Sequence, residues 1–129
     1  SYPTADYFQW AVAVLDVNVT NPGTSAVTRT LTVPTGINVR AVLHVFINRG
    51  EAGAFSALFT DLDATDVVPV VQSATQGQIY SIGGNDNLGR VEVQTNTSAQ
   101  IRSRVTVSVV GTTLAIATQG WYDTRGRDE

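Results

Sequence analysis

The chain has 129 residues, which suits a single domain, and a formal net charge of −3. It contains no cysteine, which excludes disulfides and cysteine-ligated zinc, and no lysine, so that all eight basic residues are arginine. Charged residues make up 15% of the chain, below the usual share, and they form no basic stripe. We therefore expect no nucleic-acid binding, and the lack of a long apolar run predicts no membrane insertion.

Valine and threonine dominate the composition, with 19 and 17 residues. Both are β-branched and pack well in strands. In chain order, the predicted strands are 6–16, 26–33, 39–48, 54–60, 67–72, 78–82, 88–95, 101–110 and 113–121. Eight or nine short strands at this spacing predict an all-β fold, an antiparallel β-sandwich of jelly-roll type, with its strand order left open. The predicted domain covers residues 1–121, and residues 122–129 form a C-terminal tail.

The strongest strand pattern lies at residues 39–48. All its odd positions are apolar, while its even positions mix Arg40, Val42, His44, Phe46 and Asn48. A strand with one apolar face and one partly apolar face either lies in the centre of a fold or contacts another chain through its second face. We therefore place Val42 and Phe46 in an interface.

Two later segments carry turn and edge signals. Pro69 within 67–72 predicts an edge strand or a bulge. Segments 101–110 and 113–121 predict a hairpin through Gly111 and Thr112, since glycine comes first, as a type II′ turn prefers.

The acidic run from Asp61 to Asp66 contains the only carboxylate cluster, namely Asp61, Asp63 and Asp66. Oxygen-rich loops suit Ca²⁺, which makes these three residues weak metal candidates. The run departs from the calcium-binding loop of an EF-hand, because its sixth residue is Asp66 rather than glycine. No glutamate follows that could bind the ion through both carboxylate oxygens. We therefore prefer a solvated turn and predict no metal and no cofactor.

Residues suited to catalysis are few. His44 is the single histidine and has no cysteine or second histidine to complete a common zinc set. No nucleophile elbow is present around any serine. We favour a packing or interface role for His44 and predict that the chain is not an enzyme.

The end of the chain offers two interpretations for Trp121. It could cap the core, or, with Tyr122, present an exposed aromatic pair. Strict alternation places Trp121 on the face opposite Leu114 and Ile116, among small residues that suit a neighbouring subunit. We therefore assign Trp121, Tyr122, Arg125 and Arg127 to an interface and expect residues 122–129 to dock on another chain through the arginines.

Residues 94–129 resemble the C-terminal end of small β-rich virion proteins of tailed phages and prophages. Such proteins close with a hairpin followed by Gly-Trp, an acidic residue and Arg-Gly-Arg-Asp. The matching residues are Ile101, Arg102, Ile116, Ala117, Thr118, Gly120, Trp121, Asp123, Arg125, Gly126, Arg127 and Asp128. Residues 35–41 are also similar, so that the resemblance covers a third to a half of the chain and brings no catalytic motif.

The resemblance implies a bacteriophage virion structural protein, such as a capsid decoration, head-fibre or tail-fibre domain, located in the virion. Its expected partners are further copies of itself, as a homotrimer, and other virion proteins, with a host-surface glycan as a candidate ligand. The alternative is a free carbohydrate-binding β-sandwich module. A virion protein should form an oligomer or coat a particle, whereas a free module should be monomeric and bind glycan.

Overall fold

The computed structural model describes residues 6–66, 79–83 and 86–123. Every regular element in these ranges is a β-strand. The strands are β1 (Asp6–Thr20), β2 (Val27–Thr30), β3 (Arg40–Asn48), β4 (Ser56–Thr60), β5 (Ile79–Gly83), β6 (Asp86–Gln94), β7 (Gln100–Val105) and β8 (Thr113–Asp123). None of the described residues forms a helix that could cross a membrane.

The eight strands form two antiparallel sheets of four strands each. Sheet 1 has the order β1-β8-β3-β6, and sheet 2 has the order β2-β7-β4-β5. Apart from the step from β4 to β5, each connection between consecutive strands crosses from one sheet to the other. This strand order is that of an eight-stranded jelly roll, so the predicted antiparallel β-sandwich is confirmed.

The core lies between the two sheets and is built from alternating residues. On β3, the inward residues Leu43, Val45 and Ile47 are fully buried, as the apolar odd positions predicted. Sheet 2 contributes Phe59 and Ile101 to the same cluster. Complete burial of such side chains stabilises the fold by about 2 kcal/mol each, so the alternation along the strands selects this packing.

The predicted hairpin between 101–110 and 113–121 is wrong. β7 pairs with β2 and β4 in sheet 2, whereas β8 pairs with β1 and β3 in sheet 1. Gly111 has the expected positive φ of 92°, but its turn belongs to a connection between sheets. Packed sheets lie about 10 Å apart, and residues 106–112 cross this gap without pairing as strands.

Some strand limits also differ from the predicted ones. β1 continues to Thr20 because residues 17–20 pair with 113–116 of β8. β8 itself continues through Tyr122 to Asp123, so Tyr122 belongs to a strand and not to a tail. The predicted strand 67–72, with Pro69, lies outside the described residues.

Candidate functional site

The outer face of sheet 1 carries an apolar band that crosses all four strands. The cross-strand row Asn18, Ala115, Phe46 and Leu88 lies beside the row Leu15, Ala117, His44 and Arg90. We call Leu15, Phe46, Leu88, Ala115 and Ala117 the outer band. Leu88 is 69% exposed, Leu15 60% and Phe46 36%. These three side chains therefore meet solvent in the isolated chain.

Polar and charged rows border the outer band at both ends. Thr20, Thr113, Asn48 and Asp86 form the row at one end. Towards the other end, the Glu92 carboxylate lies 3.0 Å from Arg40 Nε and 2.7 Å from Arg90 Nη1. The face thus has an apolar centre and a polar rim, which is the anatomy of a protein–protein interface.

The residues assigned from the sequence to the second face of β3 differ in exposure. Phe46 lies in the outer band, as its even position suggested. Val42 is fully buried within the chain, opposite Gly120 and Glu92, so its side chain leaves no surface for a partner. This corrects the expectation for Val42. His44 is exposed between Ala117 and Arg90 on the same face.

Leu15 and Leu88 complete the outer band, and sequence reasoning missed both. Leu88, Arg90 and Glu92 alternate along β6 and all point outward. The sequence therefore showed an apolar residue, Leu88, on a strand face that is otherwise polar. Leu15 was hidden by a β-bulge between Leu15 and Val17, which breaks the alternation of β1. Only the first of these two signals was readable from the sequence.

A second surface lies where β1 and β8 pair near their outer ends. The rings of Phe8 and Trp121 stack, with centroids 5.5 Å apart and planes 21° apart. Trp10 lies 5.2 Å from Trp121 and donates a 2.9 Å hydrogen bond from Nε1 to the Thr32 carbonyl oxygen. We call Phe8, Trp10 and Trp121 the aromatic platform.

A bulge at Gln119 determines where Trp121 points. Leu43 pairs with Thr118 and Val42 with Gly120, so Gln119 is the extra residue on β8. Side-chain alternation is inverted beyond it. Trp121 therefore shares the inner face with Ala41 and packs partly buried against the core. This corrects its predicted position beside Ala115 and Ala117, which assumed unbroken alternation, and it agrees with Trp121 as a cap of the core.

Tyr122 lies on the opposite side of the strand from Trp121. Its ring is 4.8 Å from that of Tyr7, and the Arg40 guanidinium lies 4.8 Å from the Tyr122 ring centroid. These contacts hold Tyr122 within the chain, and its side chain is only partly exposed. Arg125 and Arg127, the other tail residues assigned to an interface, lie outside the described residues.

Asp16 secures the irregular part of β1 between the two surfaces. Its carboxylate accepts hydrogen bonds from Thr32 N at 2.8 Å, from Thr32 Oγ1 at 2.6 Å and from the Thr118 hydroxyl. Trp10 bonds the carbonyl of the same Thr32. The bulged segment between Trp10 and Asp16 is therefore anchored at both ends.

The acidic loop is held by arginines of β7. Asp66 Oδ2 lies 2.6 Å from Arg104 Nη2, and Arg102 Nη1 donates a 2.7 Å hydrogen bond to the Ala64 carbonyl oxygen. Asp61 accepts a hydrogen bond from the Asp63 backbone within the turn. The described residues contain no cluster of three or more potential metal ligands. Asp66 thus forms an ion pair with Arg104 while it stays exposed, as Asp63 does.

Arg29 lies at the edge of the second sheet. Its Nε donates a 3.0 Å hydrogen bond to the buried Ser103 hydroxyl. Burial lowers the pKa of the Arg29 guanidinium below its usual range. The contact joins β2 to β7, which is a structural role.

No family model matches this sequence, and no curated protein matches it either.

Proposed function

We propose that this chain is a structural domain of a bacteriophage virion that works by assembling with further copies of itself, as a homotrimer, and with other virion proteins. The resemblance of residues 94–129 and 35–41 to small phage virion proteins supports the class of protein. The outer band of sheet 1 supports the mode of action. The jelly roll is compatible with the proposal but does not select it, because one fold hosts many functions.

The single observation that carries the proposal is the exposure of Leu15, Phe46 and Leu88 on one face of sheet 1. Apolar surface in water costs roughly 25 cal/mol per Å², so a contiguous apolar patch usually marks an interaction site. Four strands about 4.8 Å apart and about 30 Å long offer on the order of 600 Å² per copy. A trimer that buries this face on all three copies would bury on the order of 1,800 Å² in total, or about 600 Å² at each of its three contacts, which is the size of a small interface.

The position of the exposed leucines favours a ring of copies. Leu15 lies on β1 and Leu88 on β6, the two opposite edges of sheet 1. Each copy could thus meet one neighbour at each edge, and a head-to-tail contact closes into a ring when the rotation between copies is 120°. The alanines of β8 and Phe46 of β3 lie between them. This arrangement suits a trimer with sheet 1 turned toward the axis.

The mass in solution tests this proposal. Sedimentation equilibrium of the full chain at micromolar concentration should give three times the 13.7 kDa chain mass. A species of 13.7 kDa at every concentration would contradict self-assembly. Together with binding to a glycan, that result would support the alternative of a free carbohydrate-binding module.

A further inference from the structure

The aromatic platform combines exposure with a fixed geometry. Phe8 is 45% exposed, although it stacks on Trp121. Beneath it, Trp121 packs on the core, and the Trp10 indole is held by its hydrogen bond to Thr32. A ligand that stacks on the open face of Phe8 would therefore not have to order the rings first, which lowers the entropic cost of binding.

A carboxylate lies on the same face as the platform. Asp6 pairs with Asp123, and Phe8 pairs with Trp121, in the β1–β8 ladder. Because side chains two residues apart point to the same side of a strand, Asp6 lies beside Phe8. Asp6 is exposed and forms no ion pair with any described residue. The face thus offers an aromatic surface with a hydrogen-bond acceptor next to it.

This combination matches the chemistry of a sugar ring. A hexose has a flat face of C–H groups that packs on an aromatic ring, and hydroxyls at its edge that donate to carboxylates. Binding sites generally join an apolar surface to a few placed polar groups in this way. The chemistry of the site also sets a selectivity, since the exposed Asp6 carboxylate would repel an acidic sugar.

A cation is a poorer fit than a sugar. Aromatic cages that bind quaternary ammonium groups surround the ligand with several ring faces. Here the rings are in contact with one another, with centroids 5.2 and 5.5 Å apart, so no space remains between them. Phe8 stacks on Trp121 with one ring face and is 45% exposed, so its other ring face is the surface that we assign to a ligand.

We propose that the aromatic platform, together with Asp6, is a binding site for neutral hexose rings, including N-acetylated ones, of an oligosaccharide. The site lies at the end of the β1–β8 ribbon and uses none of the outer-band residues. Glycan binding is therefore independent of the contact proposed for assembly, and one molecule can do both.

The test is a glycan array of neutral, N-acetylated and acidic oligosaccharides, probed with the full chain, followed by titration of the bound glycans. Neutral or N-acetylated members should bind and change the fluorescence of Trp10 and Trp121, while uronic-acid and sialylated members should not. Phe8→Leu keeps the apolar bulk but removes the ring, and it should weaken binding at least tenfold. Tyr7→Leu alters an exposed aromatic on the opposite face of β1 and should leave the affinity within twofold.

Four outcomes would overturn the proposal: no neutral glycan bound, equal binding of acidic glycans, wild-type affinity in Phe8→Leu, or an equal loss in Tyr7→Leu. Circular dichroism and the melting temperature of each variant establish that it is folded. Sedimentation of the same samples separates the two proposals. A trimer that binds no glycan overturns the site alone, whereas a monomer that binds glycan overturns assembly alone.

Discussion

Gly120 lies where β1 passes closely over β8. A Cβ atom at this position would overlap the carbonyl oxygen of Phe8 and press on the Tyr7 hydroxyl and on Gln9. The close approach is what allows Phe8 to stack on Trp121 and Tyr7 to reach Tyr122. The Gly-Trp pair noted in the sequence therefore has a steric reason: the glycine admits β1, and the tryptophan supports the ring that β1 carries.

Substitution of Gly120 by alanine should separate the end of β1 from β8. We expect a loss of about 3 kcal/mol in the free energy of unfolding, the upper end of the range for overpacking against backbone. Trp fluorescence should also change, because both indoles adjoin the displaced strand. Urea denaturation followed by fluorescence measures both effects.

Gly23→Ala is the matched control for this variant. Gly23 has a φ of 82° and no atom within 4 Å of an added Cβ. Gly23→Ala should lower the free energy of unfolding by about 1 kcal/mol, because alanine is strained at this positive φ. The fluorescence of the native state should not change. Equal losses of unfolding free energy in Gly120→Ala and Gly23→Ala would show that the close approach at Gly120 does not stabilise the pairing of β1 with β8.

At the scale of elements, the loop after β4 is fastened to the outer face of β7. Arg102 donates to the carbonyl oxygens of Leu62 and Ala64, and Arg104 pairs with Asp66. The carboxylate that could complete a calcium site is thus already in contact with a cation. Binding of Ca²⁺ would have to displace this pair, which makes the loop a poor calcium site.

Calcium should therefore leave the melting temperature unchanged, as should a chelator. A site that binds only the native state would stabilise it by about 2.7 kcal/mol at a hundredfold excess of ligand over Kd, which corresponds to a shift of several degrees. Differential scanning calorimetry with calcium and with EDTA measures this. A calcium-dependent rise that disappears in Asp63→Ala would contradict the interpretation.

The elements differ in how far they could be predicted from sequence. β3 was predicted almost to the residue, because its alternation is regular and all its inward residues are buried. The partner of β7 was predicted wrongly, since a glycine turn between two Val-rich segments looks the same in a hairpin and in a crossing between sheets. The bulge at Gln119 left no sequence signal, and Trp121 was misplaced in consequence.

At the scale of the whole molecule, the class of fold was predictable and the strand order was not. Short alternating segments with turn residues between them define a sandwich, but pairing across long sequence separations depends on how the faces fit together. The candidate surfaces show the same limit. Phe46 could be placed from the period of β3, whereas the outer band appears only when β1, β8, β3 and β6 are set side by side.

The central claim is that the outer band of sheet 1 is the surface through which copies assemble. Leu88→Asp places a charge on this band, whereas Val110→Asp places the same charge on a valine that is 89% exposed in the connection between β7 and β8 and is not part of the band. Burying an unpaired carboxylate and losing a leucine contact should weaken assembly at least tenfold in the first variant. Sedimentation equilibrium should show Leu88→Asp shifted to monomer and Val110→Asp assembling like the wild type. Wild-type assembly of Leu88→Asp, or an equal loss in Val110→Asp, would contradict the claim.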